Sequence, residues 1–188
     1  MYRIARTRKD RNERTNGRGV GREKHLPPRS KAPPWLLADA HCYEDIELAR
    51  EVEIGRHTPT RDEIVDFARQ WDPQPFHLDE EAGRASPMGG LSASSCHTYS
   101  ISSLIYSRSD ERLQTAAMLG LQMRFPNAVR PGEELTLFET FTDKRVSKSR
   151  PAFGVVSSQS VLRNERGKDV MVMTSSYLVL RRDESRAG

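Results

Sequence analysis

Cysteine is scarce in this chain: Cys42 and Cys96 are the two in 188 residues. Neither belongs to a C-x-x-C pair and no histidines cluster at zinc-ligand spacing. The sequence therefore predicts neither a disulfide framework nor a structural metal, and it suits a reducing compartment. Long hydrophobic runs are lacking too. No stretch reaches the roughly 18–20 apolar residues that span a bilayer, and the N-terminus is too polar to hold the core of a secretory signal. The expectation is a soluble, cytoplasmic protein without membrane attachment. Surplus positive charge is also missing from most of the chain, despite a formal net charge of +4. Residues 1–31 hold 11 Lys/Arg against 3 Asp/Glu, which leaves 19 against 23 in the remainder. The basic character belongs to the tail, so nucleic acid is not an expected partner of the folded part.

Two regions are expected. Residues 1–34 are rich in Arg, Gly and Pro with almost no apolar periodicity, which predicts a disordered basic extension. Its Gly17-Arg18-Gly19-Val20-Gly21 has no strand before it and no helix after it, so these glycines read as linker and not as a phosphate loop. Residues 35–188 are long enough for one domain with a sizeable core.

Within that domain, alternation from Ile46 to Thr58 predicts a strand. Thr60 and Glu63 form a capping-box pattern ahead of Ile64, Phe67, Ala68 and Trp71, which recur at helical spacing until Pro73 stops the helix. Gly89 to Ser107 carries no charge for almost five turns, the mark of a helix surrounded by other elements. Four apolar stretches follow, Ala116–Phe125, Glu134–Val146, Phe153–Leu162 and Val170–Leu180, separated by a Pro-Gly turn and a Gly-containing hairpin turn. One strand, helices and then an antiparallel meander predict an α+β domain whose curved sheet wraps one long helix.

The turn after the first helix reads Gln70-Trp71-Asp72-Pro73-Gln74-Pro75-Phe76-His77. Its two prolines fix φ between Asp72 and His77, which makes the geometry of the two side chains nearly rigid. A carboxylate and an imidazole so held form a general acid/base pair suited to proton transfer or water addition. The spacing by itself equally fits a helix end followed by a solvated loop histidine.

The stretch Asp66–Ala82, "DFARQWDPQPFHLDEEA", resembles the hydratase motif of the MaoC-like dehydratase family, the hot-dog-fold (R)-specific enoyl-CoA hydratases. "PMGGLSAS" (Pro87–Ser94) is similar to the start of that family's central helix, and "RFPNAVRPGEEL" (Arg124–Leu135) to its overhanging strand and turn. The likeness runs from about Tyr43 to Arg182. It implies a hydro-lyase of fatty-acyl metabolism that reversibly adds water to the 2,3 double bond of an enoyl thioester. Coenzyme A would be part of the substrate, with no metal and no other cofactor. Asp72 and His77 would be the catalytic pair, and the backbone N–H of Gly89 or Gly90 would bind the thioester oxygen. The resemblance also implies a homodimer or a higher even-numbered oligomer, as does the edge strand that a sheet curled around one helix leaves uncovered. Gln74 stands where the family has Asn, and Gln70-Trp71 replaces a small pair, so the pocket wall is expected to differ. Two alternatives share these features: a hot-dog thioesterase with attack at C1, and a non-catalytic thioester-binding or partner subunit.

Other residues invite weaker readings. Gly90-Leu91-Ser92-Ala93-Ser94 nearly spells a hydrolase elbow but lacks the last glycine. Cys96 and His97 are adjacent and so face different sides of a helix. Asp79, Glu80 and Glu81 read as acids at a helix start. Arg124, Arg130, Arg145, Lys148 and Arg150 could meet coenzyme A phosphates, though ordinary surface charge explains each of them.

Overall fold

The computed structural model describes residues 36–37 and 39–182. The expected basic extension lies outside them. A 3₁₀ turn at Tyr43–Asp45 precedes strand β1 (Glu51–His57) and helix α1 (Arg61–Trp71). Two short helical pieces follow, α2 (Pro75–Leu78) and α3 (Glu80–Ala85), and then helix α4 (Ser95–Arg108). Strands β2 (Thr115–Arg124), β3 (Leu135–Val146), β4 (Phe153–Asn164) and β5 (Asp169–Leu180) complete the domain. Each of these last four begins and ends within two residues of the stretch expected from apolar patterning.

The five strands form one antiparallel sheet in the order β1-β3-β4-β5-β2. Alternation sets its two faces: along β4, Val156, Ser158, Ser160 and Leu162 are buried while their neighbours are not. The buried face meets α4, whose Ile101 and Ile105 join Leu135, Leu137, Leu162, Met171 and Met173 in the main core cluster. This is the α+β hot-dog arrangement. Turn chemistry closes the meander: Gly167 adopts φ +73°, and Asn164 Oδ1 accepts from the N–H groups of Arg166 and Lys168. None of the described helices is long and apolar enough to cross a membrane.

Three local expectations need correction. The first strand starts at Glu51, not Ile46, because Ala49 takes φ +61° and breaks the extended run. The capping box of α1 forms as expected, with Thr60 Oγ1 accepting from Glu63 N–H (3.1 Å) and Glu63 Oε2 accepting from Thr60 N–H (2.7 Å). Yet Ile64, Val65 and Ala68 carry its buried face, while Trp71 is 66% exposed. Finally, the long helix begins at Ser95, six residues after Gly89. Gly89 and Gly90 have φ +69° and +157°, outside the helical region, and the chain stays non-helical until Ser94 caps α4 by accepting from His97 N–H (3.1 Å).

Candidate active site

Helix α1 delivers Asp72 to the site at its C-terminal boundary. The Asp72 N–H still donates to Ala68 O (3.0 Å), but its backbone leaves the helix at φ −156°, ψ 72°, as a residue before proline must. Gln74 N–H then donates to Asp72 O (2.8 Å), and Pro75 opens α2, where a missing N–H costs nothing. This compact reversal turns His77 inward, where it is 7% exposed and packs edge-on against Phe76. The solvated-loop reading of His77 therefore does not hold.

His77 Nδ1 lies 2.6 Å from the carbonyl oxygen of Ser92. A carbonyl only accepts, so Nδ1 carries the hydrogen and Nε2 of the neutral ring presents a lone pair. Nε2 sits 3.9 Å from Asp72 Oδ2, too far for a direct hydrogen bond. A water about 2.8 Å from both atoms would subtend an angle of about 88° between them, which is open enough for one water to serve both. The Asp72 side chain is 32% exposed. The pair therefore has one dry member and one member reachable from solvent.

Both residues line a cavity of about 360 Å³ whose other walls include Met88, Ser92, Ala93, Ser95, Thr98 and the Phe125–Val129 segment. Ser95, the first residue of α4, has no intrahelical acceptor for its N–H, and the positive end of the helix dipole lies at that point. The expectation that Gly89 or Gly90 opens the helix and offers a free N–H is not met. Gly89 N–H donates to Ser86 O (3.0 Å) and Gly90 N–H to Gly83 O (2.9 Å). Ser94 was the available signal for the true start, a serine two residues beyond Ser92 at a good N-cap type.

The remaining candidates separate cleanly. Ser92 sits in non-helical chain rather than on a strand-to-helix elbow, and its carbonyl is the atom that meets His77. Cys96 is exposed, whereas His97 is buried and stacked on Phe67 at 4.4 Å, so they form no dyad. Burial also holds the His97 ring below the ordinary histidine range. Asp79 caps α3, accepting from the N–H groups of Glu81 (2.9 Å) and Ala82 (2.8 Å). Arg145 lies near the far end of β3, about 34 Å of strand from its pocket-side end, and Lys148 and Arg150 follow in the turn beyond it, so none serves the cavity of its own chain. Arg124 and Arg130 lie at the cavity's end of the sheet.

Patterning gave no notice of Glu139, a carboxyl 4% exposed on the core face of β3. Burial pushes its pKa up, and hydrogen bonds from Ser158 and Ser160 offset this in part. A larger hollow of about 570 Å³ lies elsewhere, lined by His41, Glu44, Asp45, Glu47, Arg50 and Glu111 among others. Its Glu44 and Asp45 are tied to Arg181 and Arg182, and Glu47 to Arg50. Among the described residues no group of histidine, cysteine and carboxylate side chains is arranged to hold a metal.

Comparison with known proteins gives this geometry a context. The family model described as the MaoC like domain matches residues 45–161. The MaoC-like dehydratase from Rhodospirillum rubrum is 38% identical, with 77% of this chain and 99% of that chain covered and a TM-score of 0.71. The unliganded R-hydratase PhaJ1 from Pseudomonas aeruginosa shares the fold at 18% identity, covering 75% of this chain and 86% of its own, with a TM-score of 0.61. The truncated HadBC (3R-hydroxyacyl-ACP dehydratase) complex from Mycobacterium tuberculosis does so at 16% identity, 69% and 94% coverage and a TM-score of 0.51. No curated protein matches the chain.

Proposed function

The chain belongs to the MaoC-like dehydratase family, and from that premise we propose that it reversibly adds water across the 2,3 double bond of an enoyl thioester, with coenzyme A as the carrier. The observation that carries this reading is the convergence of Asp72 and a tautomer-fixed His77 on one cavity under the N-terminus of α4. In the forward direction a water rests between Asp72 Oδ2 and His77 Nε2. As its oxygen bonds C3, Nε2 takes its proton and the C2–C3 π electrons move toward the thioester carbonyl. The Ser95 N–H stabilises the enolate oxygen, a role that falls here because it is a free donor at the helix end on a residue that lines the cavity. The imidazolium then returns the proton to C2, and hydroxyl at C3 plus hydrogen at C2 account for the water. Elimination runs the same path backwards. No metal or redox cofactor takes part.

The partner in this reading is a second copy of the chain. Strand β2 is an open sheet edge with Met118, Leu119 and Leu121 exposed, and it leads directly into the Phe125–Val129 wall of the cavity. The opposite edge, β1, is shorter and exposes Glu51, Glu53 and Arg56, which discourages pairing. Pairing through β2 covers apolar surface and closes the open side of the site.

Incubation with a short-chain enoyl-CoA tests the reaction. Loss of the conjugated absorbance without release of free thiol is the expected outcome. Thiol release would instead indicate a thioesterase, and an unchanged spectrum with measurable binding a non-catalytic subunit.

A further inference from the structure

We propose that Arg130 is a positioning residue for His77, acting through the backbone of the segment between α3 and α4. The inference rests on the catalytic role assigned to His77 above. Arg130 reaches 40 residues back along the sequence, and its Nη1 donates to Gly90 O (2.6 Å) and Leu91 O (3.1 Å). Its Nη2 donates to Met88 O. The next carbonyl in line, Ser92 O, is the one that accepts from His77 Nδ1. Three carbonyls held by one guanidinium thus lead directly to the carbonyl that sets the tautomer and aim of the imidazole.

The other side of the segment is closed as well. Gly90 N–H donates to Gly83 O (2.9 Å) and Ala93 N–H to Val129 O (3.0 Å). A Cβ on Gly83 would meet the Gly90 carbonyl carbon at 2.5 Å, and a Cβ on Gly90 would lie 3.2 Å from Arg130 Nη1. Gly90 is therefore squeezed between α3 and the guanidinium, and this contact explains the glycine that the sequence reading had assigned to substrate. Arg130 is itself anchored, because its N–H donates to the buried Glu133 carboxylate (3.1 Å) and Gly132 N–H donates to Pro59 O (2.9 Å). Its expected place among ordinary surface charges is thereby corrected.

A planar fork of donors suits several carbonyls at once, and the single ammonium of lysine cannot replace it. With Arg130 gone, the Ser92 carbonyl is free to shift, the Nδ1–H tautomer loses its preference, and Nε2 no longer offers a lone pair to water in every molecule. Groups that orient a metal-bound histidine from behind change activity by about 10–100-fold, and the same range is expected for this imidazole.

The test uses Arg130→Lys and Arg130→Met in the full chain, with ¹⁵N-labelled histidine. The His77 signal is identified by its loss in His77→Gln. The wild-type ring is expected to show one tautomer protonated at Nδ1, and both variants a mixture. Hydration should fall roughly 10–100-fold in kcat while KM stays within about threefold, because the contact is to the catalytic ring's support and not to substrate. If Arg130→Met fails to fold, Arg130→Lys alone decides. An unchanged His77 tautomer in a folded variant overturns the proposal, whatever its kcat. A tautomer mixture in a chain that shows no hydration at all would uphold the positioning role and overturn the proposed reaction.

Discussion

The larger hollow of this molecule is lined by His41 and four carboxylates, while the smaller cavity holds one aspartate and one histidine. By size and charge the larger would be the first candidate for chemistry, and the bonding of three of its four carboxylates favours the smaller for the proposed reaction. Glu44 accepts from the Arg182 N–H (2.7 Å) and pairs with Arg181 (3.3 Å), Asp45 accepts from Cys42 N–H (2.9 Å) and pairs with Arg182, and Glu47 pairs with Arg50 (2.9 Å). Burial pushes Glu44 and Asp45 up, but these partners outweigh it and hold both carboxyls below their ordinary range. Acids so committed are anchors for the ends of the chain's first turn and last strand. In the small cavity the only basic side chain near Asp72 among the described ion pairs is His77, at a separation that leaves a water's place between them. Reactivity follows from uncommitted lone pairs held in a fixed relation, and not from the number of charges.

The contrast breaks most sharply at the acid/base pair. Asp72→Asn and His77→Gln are each expected to lower steady-state hydration by about 10²–10⁴-fold while leaving the far-ultraviolet circular dichroism unchanged. A variant that keeps near-full turnover would remove the difference between the two hollows.

The next largest effect concerns the side of the small cavity that β2 borders. Leu119→Glu combined with Leu121→Glu places like charges across a symmetric strand pair and withdraws two exposed leucines from it. The dissociation constant of the proposed dimer is expected to rise at least a hundredfold, about 2.7 kcal/mol, measured by sedimentation equilibrium. Activity should fall with the proposed pairing, since the segment that follows β2 lines the cavity. Glu53→Ala, on the charged edge, should move neither.

A third test contrasts the tied carboxylates with the isolated one. The pKa of Glu139 is raised in the folded state, so the stability it contributes is fully present below the ordinary carboxyl range and is lost as pH climbs through that range toward the raised value. Glu139→Gln keeps a neutral hydrogen-bonding group there. Relative to wild type it should gain stability progressively from pH 4 to pH 8 in denaturant titrations. Equal pH dependence of the two proteins would show that the carboxyl ionises without cost.

The smallest effect belongs to the large hollow. Glu44 and Asp45 are depressed, so their contribution is present above the ordinary carboxyl range and is lost as pH falls through their folded values. The double variant Glu44→Gln, Asp45→Asn should flatten the fall in Tm on the acid limb and leave kcat within a factor of about two. A larger loss of activity would make that hollow part of the site.

Much of this was readable from local pattern, and the boundary of legibility has a physical cause. Strands β2 to β5, the Thr60–Glu63 box and the Asp72–His77 spacing all rest on interactions within a few residues, which sequence records directly. The burial of His77 depends on Ser92, 15 residues away, and the role of Arg130 on carbonyls about 40 residues away. Nothing at either position marks its partner. The doubled glycine misled for a related reason. Freedom of φ and absence of a Cβ fit a helix start and a tightly clamped strap equally well, and contact with Gly83 and Arg130 decides between them. Trp71 falls at core spacing on α1, yet the buried face ends at Ala68 and the indole stays exposed.

That uncovered indole turns the molecule into its own optical instrument. The chain has two tryptophans, Trp35 and Trp71, and Trp71 stands exposed, one residue from Asp72 at the cavity wall. Excitation at the red edge of indole absorption avoids the adenine of coenzyme A. Occupation of the cavity is expected to change its emission intensity or colour, and Trp71→Phe, which keeps Trp35 alone, supplies the background to subtract. Ligand titrations, stopped-flow binding and competition between acyl groups of different length can all be followed in the unmodified protein, without a coupled assay and without a label.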